Sequence, residues 1–448
     1  MKTVKNLILA LVIMGPMLCC ESGFLDKKPQ KSLLVPTTLG DMQALLDNSR
    51  DLMNVSPYLN VITDGEFRLL DAGLNSVARV VQNAYVWSSE PPATQGDWDI
   101  PYKQVFYCNV VLDGLAKLTD QASSDEYKRI RGDALFFRGL ALFNLVQLFS
   151  VPYKAGSADT KMGIPLPLSS DVNLKMPRAS LKATYDQVLK DLLEAAPLLA
   201  ARPLYLTRPS KAALQALLAR VYLLMGDYAL AAQHADAALA LQNSLLDYNT
   251  VPTQSAISFP LPLSAVNPEV LFYSRANTSF LNNASVFADS ALYSAYSEND
   301  LRKKIYFTSA LKYKGSYTGT ANPFQGLSTD ELYLIKAECQ ARIGAASEAL
   351  KTLDVLLQKR CVTGRYQPLT ALSTQQVLEI IITERRKELV GRGLWWQDLR
   401  RLSGDSGFSF NLKRVSSGVT HLLVAGDKRY VFKIPLDELA GNPMEQNP

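Results

Sequence analysis

The sequence contains few side chains of the types and spacing that catalysis needs. It has only two histidines, His234 and His421, and it lacks zinc-protease, nucleophile-elbow and P-loop motifs. His234 lies in an alanine-rich segment, where we expect a structural or surface role. The sequence therefore predicts a protein that is not an enzyme, with no cofactor and no bound metal.

A dense run of charge between Glu384 and Glu388 is the second place where chemistry could occur. On a helix, five consecutive side chains point in different directions, so they do not converge on a substrate as an acid and base pair would. Opposite charges three or four residues apart commonly stabilise a helix surface. This run is interpreted as helix-face ion pairs.

Recognition of an oligomer is better supported, because two irregular segments are rich in aromatic, amide and charged residues. Sugar rings present C–H faces that pack on aromatic rings, and peptides need apolar pockets with hydrogen-bond partners. Packing of the loops themselves is the alternative role, above all for Tyr85, Trp87 and Tyr293. The candidate ligand-binding residues are Asp64, Phe67, Arg68, Tyr85, Trp87, Phe280, Asn282, Asn283, Tyr293, Tyr296 and Tyr317.

The N-terminus carries residues suited to covalent lipid attachment. A basic start precedes an apolar run, Leu7 to Leu18, which is too short to span a bilayer and is typical of a secretion signal. Cys19 and Cys20 follow this run, as in a bacterial lipobox. We predict a signal peptide over residues 1–19 and acylation of Cys20, for example with palmitate. An ordinary secretory signal with two incidental cysteines is the alternative.

Three further cysteines remain in the body of the chain. Cys108 and Cys339 lie among apolar neighbours in helical patterns, which predicts buried thiols. A disulfide between Cys339 and Cys361 is left open by the sequence. No CxxC motif occurs, so the sequence gives no support for zinc or redox chemistry.

The overall composition is that of an ordinary globular protein. The 448 residues are 48% hydrophobic and 20% charged, and a chain of this length can bury a sizeable core. The formal net charge is +5, but no long basic run remains after the leader, which argues against nucleic-acid binding. Beyond the leader, even the apolar segment Leu214–Met225 is too short for a membrane helix and contains Arg220.

Helices must position the candidate residues, because apolar side chains recur at helical spacing over most of the chain. Residues 54–101 and 243–327 lack this spacing and are predicted to be irregular, with the second forming a loop-rich insertion. The predicted helices begin near Thr38 and cover Tyr102 to Leu118, Glu126 to Phe149, Leu181 to about Leu199, two segments flanking Gly226-Asp227, two segments flanking Gly344, and Thr374 to Val390.

The two helix pairs with glycine turns resemble tetratricopeptide units. In the first pair, alanines at facing positions allow two helices to approach closely around Gly226. The predicted fold is mostly α, with about four such pairs and long irregular loops that form a ligand face. Residues 20–36 are interpreted as a lipid anchor and tether, and residues 37–448 as a single domain.

Several motifs together resemble the SusD/RagB family. Near the N-terminus, Cys20 is followed by Phe24-Leu-Asp26 and Pro29, as in that family. The C-terminal third is more specific and carries Glu331-Leu-Tyr-Leu-Ile-Lys-Ala-Glu338, Glu384-Arg-Arg-Lys-Glu-Leu389, Gly393, Trp396, Asp398-Leu-Arg-Arg401, Ile434-Pro435 and Asn442-Pro443.

This resemblance implies a nutrient-binding lipoprotein of the cell outer membrane, facing the outside. Its ligand would be an oligosaccharide or an oligopeptide. Its partner would be a TonB-dependent, SusC/RagA-like outer-membrane β-barrel, over which the lipoprotein sits as a lid. The alternative is a tetratricopeptide-like scaffold of a surface complex that has no soluble ligand of its own.

Two neighbouring positions depart from the family pattern. Arg392 replaces a usual glutamate, and Trp395 replaces a usual arginine. If the usual pair is an ion pair, the loss of both partners together avoids a single buried charge without a partner. Trp98, Trp395 and Trp396 are all predicted to be buried.

Overall fold

The computed structural model of the protein describes residues 36–260, 267–370, 373–405 and 407–448. Residues 38–448 form one compact unit. Helices dominate this unit, and its strands pair into five small sheets of two strands each. The predicted fold, mostly α with tetratricopeptide-like helices, is confirmed.

Ten helices of eight or more residues form the scaffold in the described part of the chain. They begin after good capping residues in several cases, such as Ser124 and Ser210, whose hydroxyls accept backbone N–H groups of the first turn. These helices are α1 (Leu39–Leu46), α5 (Gly96–Leu115), α6 (Asp125–Phe149), α7 (Leu181–Ala195), α8 (Lys211–Met225), α9 (Tyr228–Leu241), α12 (Thr329–Arg342), α13 (Ala346–Gln358), α14 (Thr374–Glu388) and, with nine residues, α15 (Leu394–Leu402).

Shorter helices and all the strands lie mainly between these long helices. The short helices are α2 (Leu59–Thr63), α3 (Asp71–Leu74), α4 (Arg79–Tyr85), α10 (Ser290–Ser294), α11 (Arg302–Tyr306) and α16 (Leu436–Gly441). The strands are β1 (Val55–Ser56), β2 (Phe67–Leu69), β3 (Met162–Pro165), β4 (Arg178–Ser180), β5 (Val270–Phe272), β6 (Arg275–Ala276), β7 (Val286–Ala288), β8 (Leu327–Ser328), β9 (Leu412–Ser416) and β10 (Val419–Leu423).

Each sheet joins one pair of strands. Only β1 and β6 run parallel, whereas β2 pairs antiparallel with β7, β3 with β4, β5 with β8 and β9 with β10. Three of these pairs, β1–β6, β2–β7 and β5–β8, connect segments more than 50 residues apart. The two irregular segments predicted from the sequence therefore meet in space.

Helix α6 is the central helix of the scaffold and packs between α5 and α7. Two of its glycines permit this close approach, because a Cβ on Gly139 would lie 3.0 Å from Leu192 and one on Gly132 would lie 2.8 Å from Leu198. Among the described residues, α6 is the one helix long and apolar enough to cross a membrane. Its apolar stretch is 94% buried inside the protein, which is typical of a core helix.

The hairpin of α8 and α9 follows the predicted tetratricopeptide pattern. Gly226 ends α8 with a left-handed backbone, φ 79°, and Asp227 caps the start of α9. Ala219, Ala231 and Ala235 are fully buried where the helices face each other. Small side chains at these positions let the two helices pack closely. Helix α9 then packs on α12, and α12 packs on α13 and α14.

A second apolar core lies beneath the irregular segments. We call residues 54–95 and 243–327 the loop layer, without residues 261–266. Its core is separate from that of the helices and is mostly aromatic. A chain of hydroxyl groups links its tyrosines, with Tyr248 Oη 2.8 Å from that of Tyr306 and 3.1 Å from that of Tyr317.

Several sequence expectations need correction. The segment 54–101 is not irregular throughout, because α2, α3, α4 and the first turn of α5 lie within it. Pro101 lies in the second turn of α5, where its missing N–H removes the backbone hydrogen bond that a non-proline residue would donate to Asp97. The disulfide left open does not form, because Cys108, Cys339 and Cys361 are all free thiols.

The three tryptophans predicted to be buried are buried. Trp98 is 2% exposed and stacks obliquely on Tyr102, with ring centroids 4.8 Å apart. Trp396 is fully buried and packs on Tyr430 and Phe432. Trp395 is 4% exposed, and among the described residues neither its indole N–H nor that of Trp396 has a hydrogen-bond partner.

Candidate ligand-binding site

Most of the candidate residues from the loops lie inside the protein. They pack in the aromatic core of the loop layer or beside it and have no surface available to a ligand in this conformation. These buried candidates are Asp64, Phe67, Tyr85, Trp87, Phe280, Tyr296 and Tyr317.

Tyr85 and Trp87 have a structural contact with a cation. The guanidinium of Arg414 lies 4.0 Å from the ring centroid of Tyr85 and 4.6 Å from that of Trp87. Trp87 also donates its indole N–H to the carbonyl of Thr63 at 3.0 Å. These contacts anchor strand β9 to the loop layer.

Tyr296 and Tyr317 connect the loop layer to the long helices. The hydroxyl of Tyr296 donates to the carbonyl of Lys387 at 2.8 Å. The hydroxyl of Tyr317 donates to the carboxylates of Glu269 and Asp330. Both side chains therefore hold the two parts of the molecule together.

Asp64 and Glu66 form a buried pair of carboxyl groups. Asp64 accepts the backbone N–H of Glu66 at 2.9 Å, and Glu66 accepts that of Gly391 at 2.7 Å. Burial raises the pKa of Asp64 to about 7 and holds the pKa of Glu66 well above its ordinary value. Both are fully enclosed, so no substrate reaches them as an acid and base pair.

Four candidate residues remain open to solvent: Arg68, Asn282, Asn283 and Tyr293. Arg68 lies on the outer face of the β2–β7 sheet, with its guanidinium 5.8 Å from the ring centroid of Phe287. The ammonium of Lys303 lies 5.2 Å from the ring centroid of half-buried Tyr293. These residues stay candidates for contacts with the outer part of a ligand.

The charged run from Glu384 to Glu388 makes tertiary ion pairs, and the expected pairing along the helix face is only a small part of them. Glu388 is fully buried and accepts from Arg302 at 3.0 Å and from Arg360 at 2.7 Å. We call the larger set to which it belongs the buried charge network. It comprises Glu269, Asp300, Arg302, Asp330, Arg360, Glu388 and Arg392.

Three carboxylates of this network, Glu269, Asp330 and Glu388, place oxygens within 4.8 Å of one another. Arginines already neutralise them, because Arg360 pairs with Glu269 and Glu388, and Arg392 pairs with Asp330 at 2.7 Å. This donor set fits ion pairing better than metal binding. Arg392, which departs from the family pattern, thus has its own acidic partner.

A cleft of about 370 Å³ opens between α14, α10 and the segment 407–410. We call it the aromatic cleft. Its floor consists of Trp395, Phe408 and Phe410, with the rings of Trp395 and Phe410 in edge contact at 5.1 Å. Ala291 and Ala295, both exposed, line the opposite wall and leave the space open.

Helix α14 supplies the polar wall of the aromatic cleft. Glu379, Thr383 and Arg386 occur at spacings of four and three residues, which places them on one face of the helix. The guanidinium of Arg386 lies 5.1 Å from the ring centroid of Trp395. Within the part of the chain that the structure describes, the buried Nε of Arg386 and the indole N–H of Trp395 both lack hydrogen-bond partners.

The aromatic cleft thus combines flat apolar surface with free donors and acceptors. Such a mixture is typical of pockets that bind polar organic molecules. Its volume lies near the lower end of ligand pockets, about 300–1,000 Å³. Sequence reasoning missed this site, because it treated Trp395 only as a core residue and gave no role to Phe408 or Phe410. The stripe of Glu379, Thr383 and Arg386 was the available signal.

Fold and site together define a tetratricopeptide-like helical protein whose loops and C-terminal helices enclose an aromatic cleft. Two family models match the chain: "Starch-binding associating with outer membrane" matches residues 23–223, and "SusD family" matches residues 300–438. The chain belongs to the SusD/RagB family. No protein of curated function matches it.

Several solved structures from Bacteroides are similar to this chain. A SusD superfamily protein from Bacteroides thetaiotaomicron is 23% identical, with a TM-score of 0.73 over 92% of this chain and 100% of that one. A SusD superfamily protein from Bacteroides fragilis is 22% identical, with a TM-score of 0.72 over 91% and 99%. A SusD-like carbohydrate binding protein from Bacteroides vulgatus is 19% identical, with a TM-score of 0.68 over 91% and 97%.

Proposed function

We propose that this protein is a cell-surface binding lipoprotein that captures an oligosaccharide nutrient and delivers it to a TonB-dependent outer-membrane β-barrel. The aromatic cleft is the observation that carries the proposal. The family description as starch-binding and outer-membrane-associated favours an oligosaccharide over an oligopeptide, as does the name of the related carbohydrate binding protein. Lipid attachment at Cys20, which lies outside the described residues, would anchor the protein to the membrane.

Binding in the cleft would use complementary contacts from its two walls. A sugar ring would pack its C–H face on Phe410 and Trp395, while its hydroxyl groups would donate to Glu379 and Thr383. The guanidinium of Arg386 would donate to ligand oxygens. These contacts support holding a ligand rather than cleaving it, so turnover forms no part of the proposal.

The proposal is tested by native mass spectrometry of the protein purified from its own outer membrane in mild detergent. We expect a complex with a large β-barrel that carries extra mass resolving into hexose-type ladders. Mass ladders with the spacing of amino-acid residues would instead identify the ligand as a peptide. A complex with the barrel that never carries a ligand, even when glycans are supplied, would contradict the proposal and favour the scaffold alternative.

A cleft-filling variant connects this result to the site. Ala291→Tyr places a large side chain at the exposed wall of the aromatic cleft, and we expect it to retain the barrel but lose the ladders. Ala72→Tyr is the matched control, because Ala72 is exposed in another short helix of the loop layer and does not line the cleft. Equal ladders in both variants would place the ligand elsewhere.

Anchoring and orientation have separate tests. Replacement of Cys20 by alanine should release the protein from the membrane fraction, because no acyl chain could then be attached. Protease treatment of intact cells should digest the wild-type protein. Full protection from the protease would contradict an outward orientation.

A further inference from the structure

Arg386 differs from its neighbours in having no anionic partner. Arg385 pairs with Asp398 at 2.8 Å, and Lys387 pairs with Glu384 at 2.7 Å and Asp300 at 3.0 Å. Among the described residues, the side chain of Arg386 makes neither an ion pair nor a hydrogen bond, and its guanidinium lies 5.1 Å from the ring centroid of Trp395. A half-buried guanidinium without an anion is costly unless an anion arrives with a ligand.

The buried acids behind Arg386 do not supply that anion. Its charge acts on Asp64 and Glu66, but only through space and without direct pairing. Both carboxyl groups are fully buried, and burial raises the pKa of each. Neither lines the aromatic cleft, so the side of Arg386 that faces the cleft is open to an anion from a ligand.

The other polar groups of the cleft are arranged around this charge. Trp395 is only 4% exposed, yet its indole N–H finds no acceptor among the described residues. Glu379, whose carboxylate already accepts from Gln375 at 3.0 Å, lies two helical turns from Arg386 on the same face. The cationic end and the acceptor end of the α14 wall are therefore separate.

From this arrangement we infer that the ligand is an acidic oligosaccharide whose sugar ring carries a carboxylate. The carboxylate binds the guanidinium of Arg386, while the ring packs on the aromatic floor. Ring hydroxyl groups reach Thr383 and Glu379. A planar guanidinium matches a carboxylate with two parallel hydrogen bonds, which a lysine cannot reproduce. This inference deepens the proposed function and rests on it.

The test uses uronic-acid polymers together with their chemically neutral counterparts. Purified full-length mature protein is titrated by calorimetry with oligomers of polygalacturonate, alginate and heparosan. Each is then repeated after carbodiimide–borohydride reduction, which converts the carboxylates to primary alcohols and leaves the chain otherwise intact. We expect at least one acidic oligomer to bind, with an affinity roughly 10- to 100-fold above that of its reduced form.

Variants assign this preference to Arg386. Arg386→Gln should lose this higher affinity for the acidic oligomer and bind the acidic and reduced oligomers equally. Arg386→Lys should keep only part of the preference for the acidic oligomer. Arg202→Gln, which removes an exposed arginine outside the cleft, should behave as the wild type. A preference that survives in Arg386→Gln would overturn the inference.

The remaining outcomes separate the inference from the proposed function. Tight binding of neutral glycans, such as starch oligomers, with no preference for carboxylates would overturn the inference and leave the proposed function standing. Binding of a sulfated glycan that contains no uronic acid, with an affinity that depends on its sulfate esters, would also overturn the inference. Failure to bind any neutral or acidic glycan would count against the proposed function itself.

Discussion

The α8–α9 crossing of the helical scaffold is packed with small alanine side chains, whereas aromatic rings and paired charges lie in and beneath the loop layer. At this crossing, Ala219, Ala231 and Ala235 are fully buried. Between the loop layer and α12–α14, arginines such as Arg360 and Arg302 are fully buried against carboxylates. The α8–α9 crossing therefore depends on the close fit of small side chains, and the contact between the loop layer and α12–α14 depends on matched charge. Charged contacts also occur elsewhere in the scaffold, as in the buried pairs Arg138–Asp191 and Arg220–Glu331.

The contact between the loop layer and α12–α14 shows how irregular segments are held in one conformation. Segments without repeated backbone hydrogen bonds need specific tertiary partners, and a buried ion pair is strongly orientation-dependent. Arg302, at the start of α11, contacts Asp300, Glu384 and Glu388 at once. Such contacts fix the loops on α14, whose neighbouring face forms a wall of the aromatic cleft.

The largest expected effect comes from breaking the buried charge network. Arg360→Met leaves Glu269 and Glu388 without their main cation, and we expect it to lower the free energy of unfolding by about 3–5 kcal/mol. Chemical denaturation measures this loss. Arg79→Met is the control, because the Arg79–Glu90 pair is exposed and should contribute below about 1 kcal/mol. Equal losses of unfolding free energy in the two variants would mean that the buried ion pairs stabilise the protein no more than the exposed one.

A second prediction concerns pH. Burial alone would raise the pKa of Asp300, but the charges of Arg302 and Lys387 hold it at about 2. An acid with a lowered folded pKa stabilises the protein above its unfolded pKa of about 4, and this stability is lost as pH falls toward 2. Asp300→Asn should therefore be about 2 kcal/mol less stable than wild type at pH 7.

The same pair of proteins should converge at low pH. Denaturation of both at pH 7 and pH 2.5 measures the gap, which we expect to shrink as Asp300 becomes protonated in the wild type. A gap of constant size across this range would mean that the Asp300 carboxylate is not held by charge.

The scaffold has its own test at the helix crossing. Ala235→Leu adds bulk where α9 is fully buried, and we expect a loss of about 1–3 kcal/mol in the free energy of unfolding. Ala240→Leu places the same side chain on the exposed face of α9 and should have little effect. Tolerance of leucine at residue 235 would contradict close packing through small residues.

The smallest expected effect lies at the aromatic cleft. Arg386→Gln removes an arginine that has no ion pair, so the free energy of unfolding should change by less than about 0.5 kcal/mol. Compared with Arg360→Met, this variant distinguishes an arginine that stabilises the fold from one that is free for a ligand. A loss comparable to that of Arg360→Met would assign Arg386 a structural role instead.

The sequence predicted the scaffold well because local spacing determines it. Apolar residues three and four apart located α6 to within one residue at its start and at its end, and Gly226-Asp227 located the turn between α8 and α9. The loop layer was less predictable. Aromatic residues such as Tyr85 occur in similar loop sequences whether they face a ligand or a buried cation such as Arg414.

The buried charge network gave no local signal at all. Arg360 pairs with Glu269 across 91 residues, and Arg302 pairs with Glu388 across 86. Only the fold brings such residues together. The aromatic cleft has the same origin, because its floor and walls come from α10, α14, α15 and the segment 407–410.

In the proposed function, α10 of the loop layer, α14, Trp395 of α15 and the segment 407–410 hold the ligand, while the remaining helices serve as support. Hydrogen exchange monitored by mass spectrometry, with and without the oligosaccharide found bound, tests it most directly. We predict added protection in residues 286–295, 379–387 and 407–410, with α8, α9 and α13 unchanged. Protection confined to α8, α9 and α13 would contradict the account, because the ligand would then lie on the helical scaffold.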